Sequence, residues 1–302
     1  MAKILSIRWR SQSLSDKTFD ILVNAAVIIA AIVTLYPLYF VLLASISDPS
    51  AVQQGRVFLL PSGIDFTAYK NIFKDPRIMI GYRNTIMYTT GGTLIGVVLT
   101  ILGGYALSRK DLIGRSIIMK LMVFTMYFNG GLIPTYMVVR NLNLINTPYV
   151  LMILGSFTVF NLIITRTFFM AKIPDELLEA ATIDGCGNGR FFTSIVLPLS
   201  KEIVAVIVLY YSVSHWNSFF NALIYISKQS LYPLQLVLRE ILVGAQFLMM
   251  DGADIESIIE SQRLAETIKY GIIVVASVPI LVAYLFLQKF FVRGVMIGSI
   301  KG

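Results

Sequence analysis

Long apolar stretches alternate with short polar ones along this chain. Six windows carry no Asp, Glu, Lys or Arg: Ile21–Ser47, Asn84–Ser108, Leu121–Val139, Asn141–Thr165, Ile203–Ser227 and Tyr270–Gln288. Each holds about the 20 residues that an α-helix needs to cross the hydrocarbon core of a bilayer. The pattern predicts an all-α integral membrane protein with six transmembrane helices, spanning about 21–47, 84–108, 116–139, 148–170, 202–226 and 270–291. Residues 1–20 and 292–302 are then polar ends, and 21–291 form one membrane domain. The apolar run Ile21–Ile46 is too long for the core of a signal peptide, so it reads as a retained first span.

Composition agrees. Of 302 residues, 56% are hydrophobic and 14% charged, with mean hydropathy +0.76; a soluble domain carries about 25% charged residues. The net charge of +8 follows topology. With the N-terminus in the cytoplasm, 15 of the 25 Lys and Arg lie inside. Arg109, Lys110 and Arg115 crowd one tight inside connection, as the preference of basic residues for cytoplasmic loops requires. This places both termini in the cytoplasm of a bacterial inner (plasma) membrane and removes the need for a nucleic-acid partner to explain the charge. With Cys186 and His215 as the only residues of their kinds, the sequence offers no intrachain disulfide and no cysteine–histidine metal site.

Within the windows, Gly92, Gly96, Thr100 and Gly104 recur every fourth residue, a ridge that lets helix backbones approach closely in lipid. Asn129-Gly130-Gly131 with Pro134 interrupts the third window. It marks either a kink near a pathway or the outer end of the helix. The most polar stretch at membrane depth is Tyr210–Asn221. There Ser214, Asn217 and Asn221 share a helix face at i, i+3 and i+7, with Tyr210 and Ser218 on an adjacent strip. Such groups face a bundle interior or a water-filled path. They and Asn129 are the candidate pathway-lining residues, with helix–helix hydrogen bonding as the alternative. Outside the windows, 66–73 predicts a short helix on the outer rim, and Lys228–Lys269 a long second outer loop with an acidic helical segment at 255–266.

The polar, glycine-rich segment 173–199 lies between the fourth and fifth windows. It contains Glu179-Ala180-Ala181, then Gly185 after three intervening residues, then Ile195-x-Leu197-Pro198. Pro174 suits a first helical position, with Asp175 and Glu176 beside the positive helix start. Leu177, Leu178 and Ala181 form one apolar stripe, and Phe191, Phe192, Ile195 and Val196 a second. The glycines allow a sharp turn between two short helices.

These positions resemble the EAA loop of permease subunits of ATP-binding-cassette importers. Ile173-Pro174-Asp175-Glu176-Leu177, Trp216-Asn217-x-Phe219 and the tail Arg293–Gly302 resemble the carbohydrate branch, and the long second outer loop resembles permeases for polysaccharide breakdown products. The resemblance implies a type I importer permease fold, with cytoplasmic coupling helices through which a separate ATPase moves the membrane helices. It implies coupling roles for Glu179, Ala180, Ala181, Asp184, Gly185, Phe191, Ile195, Leu197 and Pro198. It also implies a second homologous permease, two ATPase subunits that hold the ATP and magnesium, and an extracytoplasmic binding protein that delivers an oligosaccharide. A permease of the same class for an amino acid, phosphate or metal is the alternative; an ion channel or membrane enzyme is a more distant one. The chain has no G-x-x-x-x-G-K-[ST] phosphate loop, G-x-S-x-G elbow or H-E-x-x-H pair, so no cofactor and no catalytic role are expected of it.

Overall fold

The computed structural model describes residues 13–247, 268–286 and 288. It is helical, and its one β feature among those residues is an antiparallel bridge between Ser47 and Ile64. The acidic segment at 255–266 and the tail at 293–302 lie outside the described residues. The chain divides into two compact units, Met1–Ile72 with Ala245–Val274, and Phe73–Gly244 with Val275–Gly302.

The first unit opens with α1 (Leu14–Ser45). Ser13 caps it: its hydroxyl accepts the Asp16 N–H at 3.2 Å. Only 6% of the apolar window in α1 is buried within the chain, so its hydrophobic surface is available to lipid or to another polypeptide. The chain then reverses through α2 (Pro49–Gln53). Asp48 accepts the Ser50 N–H at 2.7 Å to start that helix, and Asp65 accepts the Thr67 N–H at 2.8 Å to start α3 (Thr67–Lys74). These two hydrogen bonds from the Thr67 hydroxyl and N–H hold the Asp65 carboxyl below the usual aspartate range. The helix expected at 66–73 is therefore present, shifted by one residue.

The second unit is built around α4 (Pro76–Ser108), a 33-residue helix started by Asp75. It begins eight residues before the charge-free window and takes in Arg77 and Arg83. Around it stand α5 (Arg115–Tyr127), α6 (Leu132–Asn141), α7 (Pro148–Ile153), α8 (Val159–Lys172), α9 (Asp175–Ile183), α10 (Asn188–Leu199), α11 (Lys201–Trp216), α12 (Phe220–Tyr225) and α13 (Leu234–Phe247). The small-residue ridge is the packing face of α4. A Cβ on Gly92 would fall on the His215 ring, one on Gly96 on the Ser156 carbonyl and the Tyr211 ring, and one on Gly104 on Thr165. Thr100 sits fully buried between these contacts, its hydroxyl 2.7 Å from that of Tyr211, which also accepts the Thr158 N–H at 3.2 Å. At the other end of α4, the Asn84 amide donates to the Ser230 and Tyr232 carbonyls, at 2.8 and 3.0 Å. Tyr88 donates to the Leu231 carbonyl at 2.9 Å. These bonds tie residues 230–232 to the helix, and α13, which the sequence reading left as loop, buries Leu234, Leu236, Val237 and Leu238.

Three helices among the described residues are long and apolar enough to cross a membrane: Ser15–Ser45, Pro76–Ser108 and Ile268–Phe286. Two bent pairs pass the same test, α5 with α6 at 113° and α10 with α11 at 80°. The third window is interrupted at Asn129-Gly130-Gly131, as its sequence indicates, and the expectation of uninterrupted helices in the fourth and fifth windows is corrected. The third breaks where Asn129 Oδ1 accepts the Gly131 N–H at 2.9 Å and Gly131 takes φ +84°. The fourth breaks at Gly155, with φ +85°, and restarts at α8 with Thr158 as its cap. The fifth stops at Trp216.

Candidate functional site: the loop between α8 and α11

The loop 173–199 folds as two helices anchored on the second unit's core. Pro174 is the residue before α9, with ψ 155°, and Asp175 takes the first helical position expected for the proline. Phe169, Ile173, Ala181, Phe191 and Val196 are buried in one cluster with Ile101, Ile203, Ile207 and Tyr211, and Leu177, Leu178, Phe192, Ile195 and Leu197 pack against it. Both apolar stripes therefore face the chain's own helices. Ala181 looks inward, so of the alanine pair only Ala180 stands on the exposed face, beside Glu179 and Asp184. Ile183 is 87% exposed at the tip of α9.

The turn after α9 is a Schellman motif. Cys186 donates its N–H to the Ala181 carbonyl at 2.9 Å, and Gly185 donates to Thr182 at 3.0 Å. Gly185 adopts φ +73°, the left-handed region that an L side chain enters at a cost of about 1–2 kcal/mol. A Cβ at Gly185 would meet no atom within 4 Å, so the conformation and not crowding selects glycine. In α10, Phe192–Val196 widens into a π-helical turn that carries Val196 into the core, and Pro198 lies exposed beyond it.

The end of α4 grips the start of α9. Arg109, 6% exposed, donates from Nη2 to the Ile173 carbonyl at 3.0 Å, with Nη1 3.7 Å from the Asp175 carboxylate. Lys110 Nζ lies 2.7 Å from the other Asp175 oxygen. That hydrogen bond holds the Asp175 carboxyl below its ordinary range and raises the Lys110 ammonium above its own. The Arg109 guanidinium also lies 5.4 Å from the centre of the Tyr105 ring, which packs on Phe169 and Phe192. The sequence reading used Arg109 and Lys110 only to orient the chain. Their position directly after an apolar helix, with an acidic pair directly after the apolar stretch two windows later, was the available signal.

Among the described residues Glu179 has no side-chain hydrogen bond or ion pair within the chain. Its carboxylate is presented outward with Ile183 and Asp184 on one protruding surface.

The candidate pathway residues are placed differently from the expected strip. Tyr210 and Ser214 are exposed on α11. Asn217 is the residue that ends α11, and its backbone N–H and its side-chain amide both donate to the Val213 carbonyl, at 3.2 and 3.0 Å. Ser218 lies in the turn, its N–H donating to His215. Asn221, half-buried, belongs to α12. The shared face of Ser214, Asn217 and Asn221 is therefore corrected: the helix ends between them. Asn129 is exposed, and its side-chain oxygen is engaged in the break between α5 and α6. His215 is buried against Gly92, with Nε2 3.4 Å from Ser156 Oγ.

No protein-family model matches the sequence. The chain is 37% identical over 289 residues to the polygalacturonan/rhamnogalacturonan transport system permease protein YtcP of Bacillus subtilis, covering 96% of this chain and all of that one. It is 36% identical over 270 residues to protein LplC of the same organism, covering 89% and 90% of the two chains. The melibiose/raffinose/stachyose import permease protein MelC of Bacillus subtilis is 24% identical over 270 residues, covering 88% and 91%. Among solved structures, a bacterial ABC transporter involved in the import of the acidic polysaccharide alginate matches with TM-score 0.80 and 33% identity, over 93% of this chain and 99% of that one. With an EAA-type loop folded on the end of its membrane helices and full-length identity to such proteins, the chain belongs to the permease subunits of ATP-binding-cassette transporters.

Proposed function

We propose that this chain forms half of the translocation pathway of an ATP-driven importer for a carbohydrate, an oligosaccharide released from a larger polysaccharide. The observation that carries the substrate class is the full-length 37% identity to a permease named for polygalacturonan and rhamnogalacturonan transport. The alginate importer structure and the melibiose/raffinose/stachyose permease support the same class.

In this reading the protruding surface of Glu179, Ala180, Ile183, Asp184 and Gly185 seats in a groove of a separate ATPase subunit, which binds ATP and magnesium. Phe191, Ile195, Leu197 and Pro198 fix the second helix of the loop. A second permease completes the pathway, and an extracytoplasmic binding protein delivers the sugar. The six charge-free windows cross a bacterial inner membrane, with both termini and the loop 173–199 in the cytoplasm. Tyr210, Ser214, Asn217, Ser218, Asn221 and Asn129 are candidate lining groups.

Uptake tests the substrate. Cells lacking this gene should lose uptake of labelled oligogalacturonides or of a neutral oligosaccharide, and regain it with the gene restored; undiminished uptake of both sugars would reject the carbohydrate reading. Orientation is tested separately. Cys186 is the only cysteine, so a membrane-impermeant maleimide should label the denuded permease in inside-out vesicles and not in right-side-out ones.

A further inference from the structure

Between α5 and α8 the second unit holds a cleft of about 550 Å³. Its lining combines three cations, Arg115, Lys120 and Arg166, with the apolar Met119, Val123 and Ile163 and the hydroxyl of Ser116. No acidic residue lines it among the described residues. Arg115 donates from Nη1 to the Arg109 carbonyl at 3.0 Å, and Arg166 donates from Nε to the Leu107 carbonyl at 3.0 Å. Each bond uses one of the five donors of a guanidinium and fixes the group in place, which leaves its other N–H groups for a ligand. Both carbonyls belong to the end of α4 that grips α9, so the cleft lies at the coupling-loop end of the helices. Two anchored guanidiniums and the exposed Lys120 ammonium line the cleft without a carboxylate, a charge that an anion would complement, and Met119, Val123 and Ile163 add apolar surface to the same lining.

We propose that this cleft binds an anionic phospholipid of the cytoplasmic leaflet. The phosphodiester is held by Arg115, Lys120 and Arg166, and an acyl chain lies along Met119, Val123 and Ile163. Basic pockets between membrane helices on the cytoplasmic side recognise lipid headgroups in this way. The assignment of the leaflet rests on the orientation proposed above. Because Arg115 and Arg166 also hold the end of α4, the lipid would stiffen the anchor of the coupling loop.

The full chain, purified in mild detergent with the subunits that accompany it, can be placed in nanodiscs of phosphatidylcholine with graded phosphatidylglycerol and examined by native mass spectrometry. Wild type should retain phosphatidylglycerol over phosphatidylcholine of equal chain length. Lys120→Gln removes a cation with no hydrogen bond to the rest of the chain among the described residues, and it should lower that retention about fivefold. Val123→Trp should lower it without changing charge, by filling the cleft. Lys228→Gln, at an exposed lysine outside the cleft, should leave it unchanged. Equal retention of both lipids, equal loss in Lys120→Gln and Lys228→Gln, or protection of the cleft by a partner subunit in place of lipid would overturn the proposal. So would full displacement by millimolar inorganic phosphate, which would assign the cations to a small anion. None of these readings uses a sugar, and the Cys186 labelling reports the leaflet independently. A wrong substrate or wrong orientation is thus separable from a wrong ligand.

Discussion

Lys110 Nζ and Asp175 Oδ2 lie 2.7 Å apart, joining the second residue beyond α4 to the first residue of α9. With Arg109 on the Ile173 carbonyl beside them, they make the loop 173–199 an extension of the longest helix in its unit. Asp175→Lys should therefore reduce uptake driven by ATP while leaving the protein in the membrane, and Lys110→Asp combined with it should restore part of the loss. Paired measurements of uptake and ATP hydrolysis in vesicles check this; equal uptake by wild type and the single variant would remove the pair from the coupling route.

Arg109 is the less exposed partner. Arg109→Ala leaves the Ile173 carbonyl without its donor, a loss of about 1–3 kcal/mol. The expected outcome is a lower melting temperature in detergent, with Lys110→Ala changing it much less because that ion pair is exposed.

The pair also sets a pH window. The Asp175 carboxyl titrates below the usual aspartate value, so its contribution is present above that value and is lost as pH falls through the lowered one. The Lys110 ammonium titrates above its usual value, so its contribution is complete below that value and is lost as pH rises through the raised one. Between these limits the anchor keeps its charge. ATPase coupling measured from pH 5 to pH 9 should show no transition removed by Lys110→Gln.

Gly185→Val should decouple hydrolysis from transport, because a β-branched residue is strained at φ +73°. Gly185→Asn should retain more coupling, since asparagine tolerates the left-handed region. No Cβ clash exists there, so equal damage by both variants would point to a contact with the ATPase and not to the turn.

Gly92→Ala should destabilise the second unit by about 1–3 kcal/mol through overpacking against His215. Adding His215→Ala should recover part of that, whereas it should not rescue Gly96→Ala, whose Cβ meets the Ser156 backbone carbonyl. Thermal unfolding of the four variants reads the coupling directly.

How far the sequence reached follows from the kind of signal each element carries. Apolar windows are a property of burial in lipid, so they located the helical regions, and the four-residue ridge identified the packing face of α4. The glycine after Glu179-Ala180-Ala181 announced a turn because only a backbone requirement explains it. Helix breaks were less legible. Trp216-Asn217-Ser218 contains no proline or glycine, and the end of α11 is set by local hydrogen bonds to His215 and Val213, which a hydropathy pattern does not encode. Which face of α9 turns inward depended on the core formed with Ile101 and Tyr211, residues distant in sequence. α13 was hidden because Arg239 and Glu240 interrupt its apolar run, so it fell outside the charge-free windows and was taken with the outer loop.

The ridge of α4 has a mechanical consequence. Where Gly92, Gly96 and Gly104 meet α8, α11 and the Ser156 carbonyl, no pliable side-chain layer of their own separates the backbone of α4 from its neighbours. A joint of flexible side chains would soak up a small displacement by rotamer changes. This one is closely packed, so α4, α8 and α11 are expected to shift together. Movement delivered at Ile183 would then arrive at the far end of the bundle as a tilt of one stiff wedge, its stroke multiplied by the length of a 33-residue helix.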